Sequence, residues 1–190
     1  MLLMRHSLSG LAHEHEPNQR LIGELLNDMQ DSRDTAGVIA PPPLLALATI
    51  VLGLLLDWLL PAYVLSLLLS LAARVVIGLV LMGAGLVPII LANLAFRSAG
   101  THAEPWKPSV ILVASGIFEW LRNPMYVGGT LFLVGLAILL ASDWMLVMTI
   151  VFVLVLHFGV VRREERYLES KFGEAYRQYC NRVPRYGWPG

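Results

Sequence analysis

Cysteine, net charge and polar length are what this chain has least of. Its 190 residues include one cysteine, Cys180, so an intrachain disulfide is excluded, and with no second cysteine or His cluster beside it no metal site is expected there. The 14 Lys and Arg balance the 14 Asp and Glu, which leaves no basic footprint and argues against a nucleic-acid partner. There is no phosphate-cradling glycine loop and no hydrolytic triad. The N-terminus lacks the apolar core and small-residue cleavage site of a signal peptide. Charged residues make up 15% of the chain and hydrophobic ones 56%, with a mean hydropathy of +0.64. That is too apolar for an ordinary soluble domain and reads as an all-α integral membrane protein.

What the chain does have is apolar runs of membrane length, punctuated by prolines. Residues 1–40 form a polar N-terminal extension in which Asn18 is placed to cap a short helix carrying Leu21, Ile22, Leu25, Leu26 and Met29 at helical spacing. His13 and His15 there read as part of a solvated tail. Residues 41–190 form the membrane domain, opened by Pro41, Pro42 and Pro43, which give the first span a rigid start. About four spans are expected, at 44–60, 74–96, 124–141 and 144–161, each near the length that crosses ~30 Å of hydrocarbon. Gly83, Gly85 and Pro88 lie in the second, where they permit either close packing with a kink or a broken helix lining a cavity. Asp57 and Arg74 leave and enter the membrane at similar depth, which predicts that they pair. Asp143 is the candidate N-cap of the last span, and the turn before it is short enough to make the last two spans antiparallel neighbours.

Four spans put both termini on one side. All of the 14 Lys and Arg except Arg74 fall on that side, so the positive-inside rule places the termini, the 97–123 loop and a C-terminal helical tail in the cytoplasm. That tail is broken at Gly173 and carries Tyr176 and Tyr179.

The C-terminal helical hairpin gathers the candidate chemistry on the same side, with Arg122-Asn123-Pro124 where it opens and Glu164-Glu165 where it closes. Residues seven apart share a helix face, which aligns His157 with Glu164. Glu164 and Glu165 diverge by about 100°, so one carboxylate faces inward; the register with His157 selects Glu164 and leaves Glu165 to pair with Arg162 or Arg166. His157, inside an apolar run, is either a neutral side chain hydrogen-bonded across the bundle or a ligand-lining group. With Phe118, Trp120 and Tyr126 as aromatic walls, such a pocket suits a cationic or zwitterionic small molecule.

These residues also carry a resemblance. The run Leu112-Val113-Ala114-Ser115-Gly116-Ile117-Phe118, then Arg122-Asn123-Pro124-Met125-Tyr126-Val127-Gly128, then Glu164-Glu165 followed by Lys171-Phe172-Gly173 and Tyr176, resembles the isoprenylcysteine carboxyl methyltransferase family, which shares this core with the membrane phospholipid methyltransferases. The resemblance is close from 110 to 185 and loose from 34. It implies methyl transfer from S-adenosyl-L-methionine in a helical membrane fold without a Rossmann domain. By carry-over, Val110, Leu112, Val113, Phe118, Asn123, Pro124, Tyr126 and Glu164 hold the cofactor. The implied partners are a lipophilic small-molecule or lipidated acceptor and the membrane lipid around it. Two positions depart from the family pattern. Asn123 stands where His is frequent, and Val160 stands where prenylcysteine enzymes place an Arg for the substrate carboxylate, a role Arg162 or Arg163 would have to fill. The expected acceptor is a carboxylate, an amine or a thiol on an amphiphile. An amine or thiol needs a base, for which His157 and Glu165 are the nearby candidates.

Two rival readings remain open on the residues alone. A nicotinamide-dependent membrane reductase would use Arg122, Arg162 and Arg163 for the phosphates. A non-catalytic scaffold would use Arg122 and the Glu doublet to lock the hairpin shut.

Overall fold

The computed structural model describes residues 36–101 and 111–187. The short helix expected in the extension, His13, His15 and Val110 lie outside them. Every regular element among the described residues is helical. In chain order these are α1 (Pro42–Leu59), the short α2 (Val64–Leu68), α3 (Leu71–Ser98), a 3-10 turn (Gly116–Glu119), α4 (Pro124–Leu140) and α5 (Asp143–Leu156). A π-helical turn (His157–Val161) then leads without a break into α6 (Arg162–Phe172), and α7 (Glu174–Arg182) follows. Three helices are long and apolar enough to cross a membrane, Pro42–Leu59, Leu71–Ser98 and Asp143–Phe172, and α4 is a shorter apolar helix. The protein is thus an all-α membrane protein.

The helices pack in the order α1, α5, α4, α3, with α1 against α5 and α3 against α4. The α3–α4 seam runs glycine against glycine. A Cβ on Gly78 would stand 2.8 Å from the Gly135 carbonyl oxygen, and one on Gly85 2.5 Å from that of Gly128. Without hydrophobic drive between helices in lipid, such close backbone approach is what gives the pair its packing energy. On α3 large apolar side chains point the other way, with Val76 61% and Val80 64% exposed, as expected where the surrounding solvent is hydrocarbon. α3 runs unbroken through Pro88, so Gly85 serves packing rather than a break, while Gly83 faces open space.

At the end of the bundle away from the Glu doublet, two carboxylates tie the loops. Asp57 and Arg74 form no ion pair: Asp57 instead accepts hydrogen bonds from the Ser142 hydroxyl and the Trp144 backbone N–H, and the buried Nε of Arg74 has no hydrogen-bond partner. Sequence depth alone put the two residues at one level, but the short turn into α5 brings its free N–H groups closer to Asp57. The N-cap of α5 is Ser142, whose hydroxyl accepts from Met145 N at 3.2 Å; Asp143 sits one residue into the helix. Its carboxylate turns outward to accept from Val64 N at 2.9 Å and Leu65 N at 3.0 Å, capping α2 from a distance. α4 ends on Ala141 in the left-handed region at φ 54°, with Ser142 N donating to Ala137 O at 2.8 Å.

The π turn is a further departure from sequence expectation. Its i to i+5 bonding adds a residue to the turn, so the seven-residue alignment of His157 with Glu164 does not hold. Gly159 within it packs on Ile39 and its carbonyl accepts from Ile39 N at 3.3 Å. Val160 and Val161 are fully buried with Leu133, Phe152 and Leu156.

Candidate functional site

The ends of α4 and α6, the segment 111–118 and the face of α7 enclose a cavity of about 110 Å³. Pro124 at the first turn of α4 fixes where that helix begins, so Tyr126 falls one turn inside facing α6. The 3-10 turn is held by Tyr179, whose hydroxyl donates to Phe118 O at 2.8 Å, and Phe118 packs edge-on against Phe96 with centroids 5.1 Å apart. Leu112, Val113, Phe118, Asn123, Pro124, Tyr126 and Glu164 all line this cavity, as do Glu165, Arg122, Tyr176 and Tyr179.

The two adjacent glutamates are treated differently. Glu165 is enclosed by cations: Arg122 Nη1 is 2.9 Å from Oε1, and Arg185 grips both oxygens, Nε at 2.8 Å and Nη2 at 2.6 Å. Its partners are Arg122 and Arg185, not Arg162 or Arg166. Glu164 has no ion-pair partner among the described residues. Its oxygens lie 2.9 and 2.8 Å from the Tyr126 hydroxyl, a single neutral donor shared by two acceptors. A half-buried carboxylate in that state is electrostatically incomplete and draws a positive charge into the cavity.

Beyond α7 the chain folds back as a strap. Arg122 N donates to Pro184 O at 3.0 Å, Asn123 Nδ2 to Arg185 O at 3.3 Å, and His157 Nδ1 lies 2.9 Å from the Tyr186 hydroxyl. His157 does not line the cavity and bonds to the strap rather than across the bundle. Arg163 does not line it either; its Nη1 donates to Gly37 O at 2.7 Å, fastening the chain ahead of α1. Arg122 also donates to Cys180 Sγ at 2.8 Å. Burial first, with Glu165 and Cys180 beside it, pushes the Tyr176 hydroxyl far above its ordinary range, so it stays neutral. Sequence reading missed Arg185, Tyr186 and Cys180. The available signal was the i, i+3, i+7 apolar stripe of Tyr176, Tyr179 and Val183, all buried, which marks the tail as packed rather than solvated.

No metal-binding group of three or more His, Cys, Asp or Glu occurs among the described residues. A family model described as phospholipid methyltransferase matches residues 73–175. The chain is 40% identical over 77 residues to the Protein-S-isoprenylcysteine O-methyltransferase of Schizosaccharomyces pombe, covering 39% of this chain and 31% of that protein. It is 39% identical over 62 residues to an uncharacterized protein of Haemophilus influenzae, covering 33% of this chain and 98% of that one. The similarity thus spans less than a third of the fission-yeast protein's length. No solved structure matches. Because the family model spans more than half of the chain, from the start of α3 to the start of α7, the protein belongs to the phospholipid methyltransferase family.

Proposed function

We propose that the protein is a methyltransferase that uses S-adenosyl-L-methionine and acts on a lipophilic acceptor at the cytoplasmic membrane face. The observation that carries this reading is Glu164, an unpaired carboxylate beside aromatic walls. When bound, the cofactor supplies an electrophilic methyl group on a sulfonium, next to a cationic amino group. Glu164 offers the negative charge that fixes such an amine or balances the sulfonium, and Phe118 and Tyr126 offer aromatic groups to the cation. Tyr126 holds the carboxylate in place. A cavity of about 110 Å³ is below the ~300 Å³ of ordinary ligand pockets, so the nucleoside end requires the flanking segments to part on binding. Holding the methyl group in line with its acceptor supplies most of the rate enhancement in such a reaction.

The surroundings also bear on the acceptor. Glu165 is held by two arginines and His157 reaches the site only through the strap, so neither is well placed to take a proton. That favours an acceptor already ionised, such as a carboxylate, which needs no base. The nicotinamide reading loses support because Arg162 and Arg163 do not line the cavity and Arg122 is engaged with Glu165.

The test is calorimetric titration of S-adenosylhomocysteine into detergent-purified protein, with NADPH as the rival ligand. Wild-type protein binds S-adenosylhomocysteine, and Glu164→Gln weakens binding about 100-fold, ~2.7 kcal/mol, without loss of fold. Binding of NADPH in its place sinks the reading. Folded protein that binds neither ligand returns the scaffold reading to the front.

A further inference from the structure

A second, larger cavity lies across the wall formed by Phe96, Met125 and Tyr126, which both cavities share. It measures about 630 Å³, well inside the ~300–1,000 Å³ of ordinary ligand pockets. It exists because α1 packs on α5 and α3 on α4, while α1 and α3 are scarcely in contact. A cleft is left between them, floored by α4. Its walls are apolar: Pro43 and Ile50 from α1, Leu86 and Ile89 from α3, Gly129 and Phe132 from α4. A cleft between two membrane-length helices opens toward acyl chains, so its body fits an apolar chain.

Among the described residues its charged lining residue is Arg97, in the last turn of α3. Asn93, one helical turn earlier, lines the same face. Among the described residues the Arg97 side chain has no hydrogen bond and no ion pair. The nearest thing to a bland account is that a cation at a helix C-terminus is favoured by the helix dipole, and that account makes no demand on a ligand. The placement of Arg97 beside Phe96 goes further, because it sets a cation of this cleft next to the wall that separates it from Glu164. Val160, in the π turn, is buried among Leu133, Phe152 and Leu156, and none of Arg162, Arg163 and Arg166 of α6 lines the cleft.

Resting on the methyltransferase reading, we propose that this cleft is the acceptor site, that it takes a single-chain amphiphile with an anionic headgroup, and that Arg97 binds that headgroup. The two sites then have opposite polarity: Glu164 faces a cationic cofactor on one side of Tyr126, and Arg97 faces an anionic acceptor on the other. Gly129 provides a way to close the cleft. A Cβ there meets nothing within 4 Å, so a larger side chain enters empty space without disturbing the helix seam that Gly128 makes one residue earlier.

Native mass spectrometry of the detergent-purified full chain tests this with three C18 probes, oleic acid, oleyl alcohol and oleoyl lysophosphatidic acid. One molecule of either anionic probe is expected per chain, bound about tenfold better than the alcohol; the carboxylate and phosphate arms identify which headgroup is preferred. Arg97→Gln removes the preference for an anion and leaves alcohol binding unchanged, Arg97→Lys restores the preference in part, and Gly129→Leu removes binding of all three. Binding of S-adenosylhomocysteine is retained in these variants, which separates failure here from failure of the cofactor site. An anion preference that survives Arg97→Gln overturns the proposal, as does full occupancy in a Gly129→Leu variant with wild-type melting temperature or the absence of any anionic probe on the wild type.

Discussion

The two ends of the bundle use carboxylates in opposite ways. At the end near Asp57, each acid is consumed by structure: Asp57 takes Ser142 and the Trp144 N–H, and Asp143 takes two backbone N–H groups of α2. At the other end, Glu165 is likewise consumed, by Arg122 and Arg185, but Glu164 is left with one tyrosine hydroxyl. Identical side chains, one residue apart, separate into a fastener and a carboxylate held by one neutral donor, which the proposed function uses as a ligand group. A carboxylate becomes available for binding where the fold has satisfied its neighbour and not it.

The sharpest break of that comparison is on Glu165. With side chains of the pair only 14% and 16% exposed, Glu165→Ala strands two guanidinium groups and is expected to cost about 3 kcal/mol of stability, read as a thermal melt in detergent. Glu164→Ala is expected to stay within about 1 kcal/mol of wild type in the same melt, although it loses ligand binding. Equal destabilisation by the two variants would erase the distinction. At the far end, Asp143→Ala removes both acceptors of the α2 N–H groups and is expected to cost about 1–2 kcal/mol, with ligand affinity unchanged. The smallest effect is a gain: Ala141→Gly relieves a left-handed backbone at φ 54° and is expected to add about 1 kcal/mol.

Much of this architecture was legible because membrane solvation writes plainly on sequence. The prolines at 41–43 and 124 and the length of the apolar runs fixed where helices begin, and the Glu doublet stood out as the acids closing an apolar hairpin. What escaped was long-range pairing. Asp57 and Arg74 shared a depth, yet Ser142 and Trp144 reach the carboxylate because a tight turn points N–H groups at it, and depth carries no azimuth. Arg185 was unassigned because a tail residue's partner depends on how α7 docks, which only the buried Tyr176, Tyr179 and Val183 stripe hints at. The π turn left no specific mark in residue type: Gly159 is unfavourable in an α-helix interior by about 1 kcal/mol, but its close packing on Ile39 accounts for it equally well.

That turn sets the phase of the helix beyond it. A π turn counts one residue more than an α turn, so it acts on everything after it as a single-residue insertion does. Drawing 157–161 into an α-helix with the residue count unchanged would shift the register by one place, setting Arg163 where Glu164 now meets Tyr126 and Glu164 where Glu165 now meets Arg122 and Arg185. Deleting one residue from the turn would instead remove the bulge and leave each glutamate where it stands. Which glutamate faces Tyr126 and which one meets the arginines is therefore written in the count of residues ahead of them, not in their chemistry.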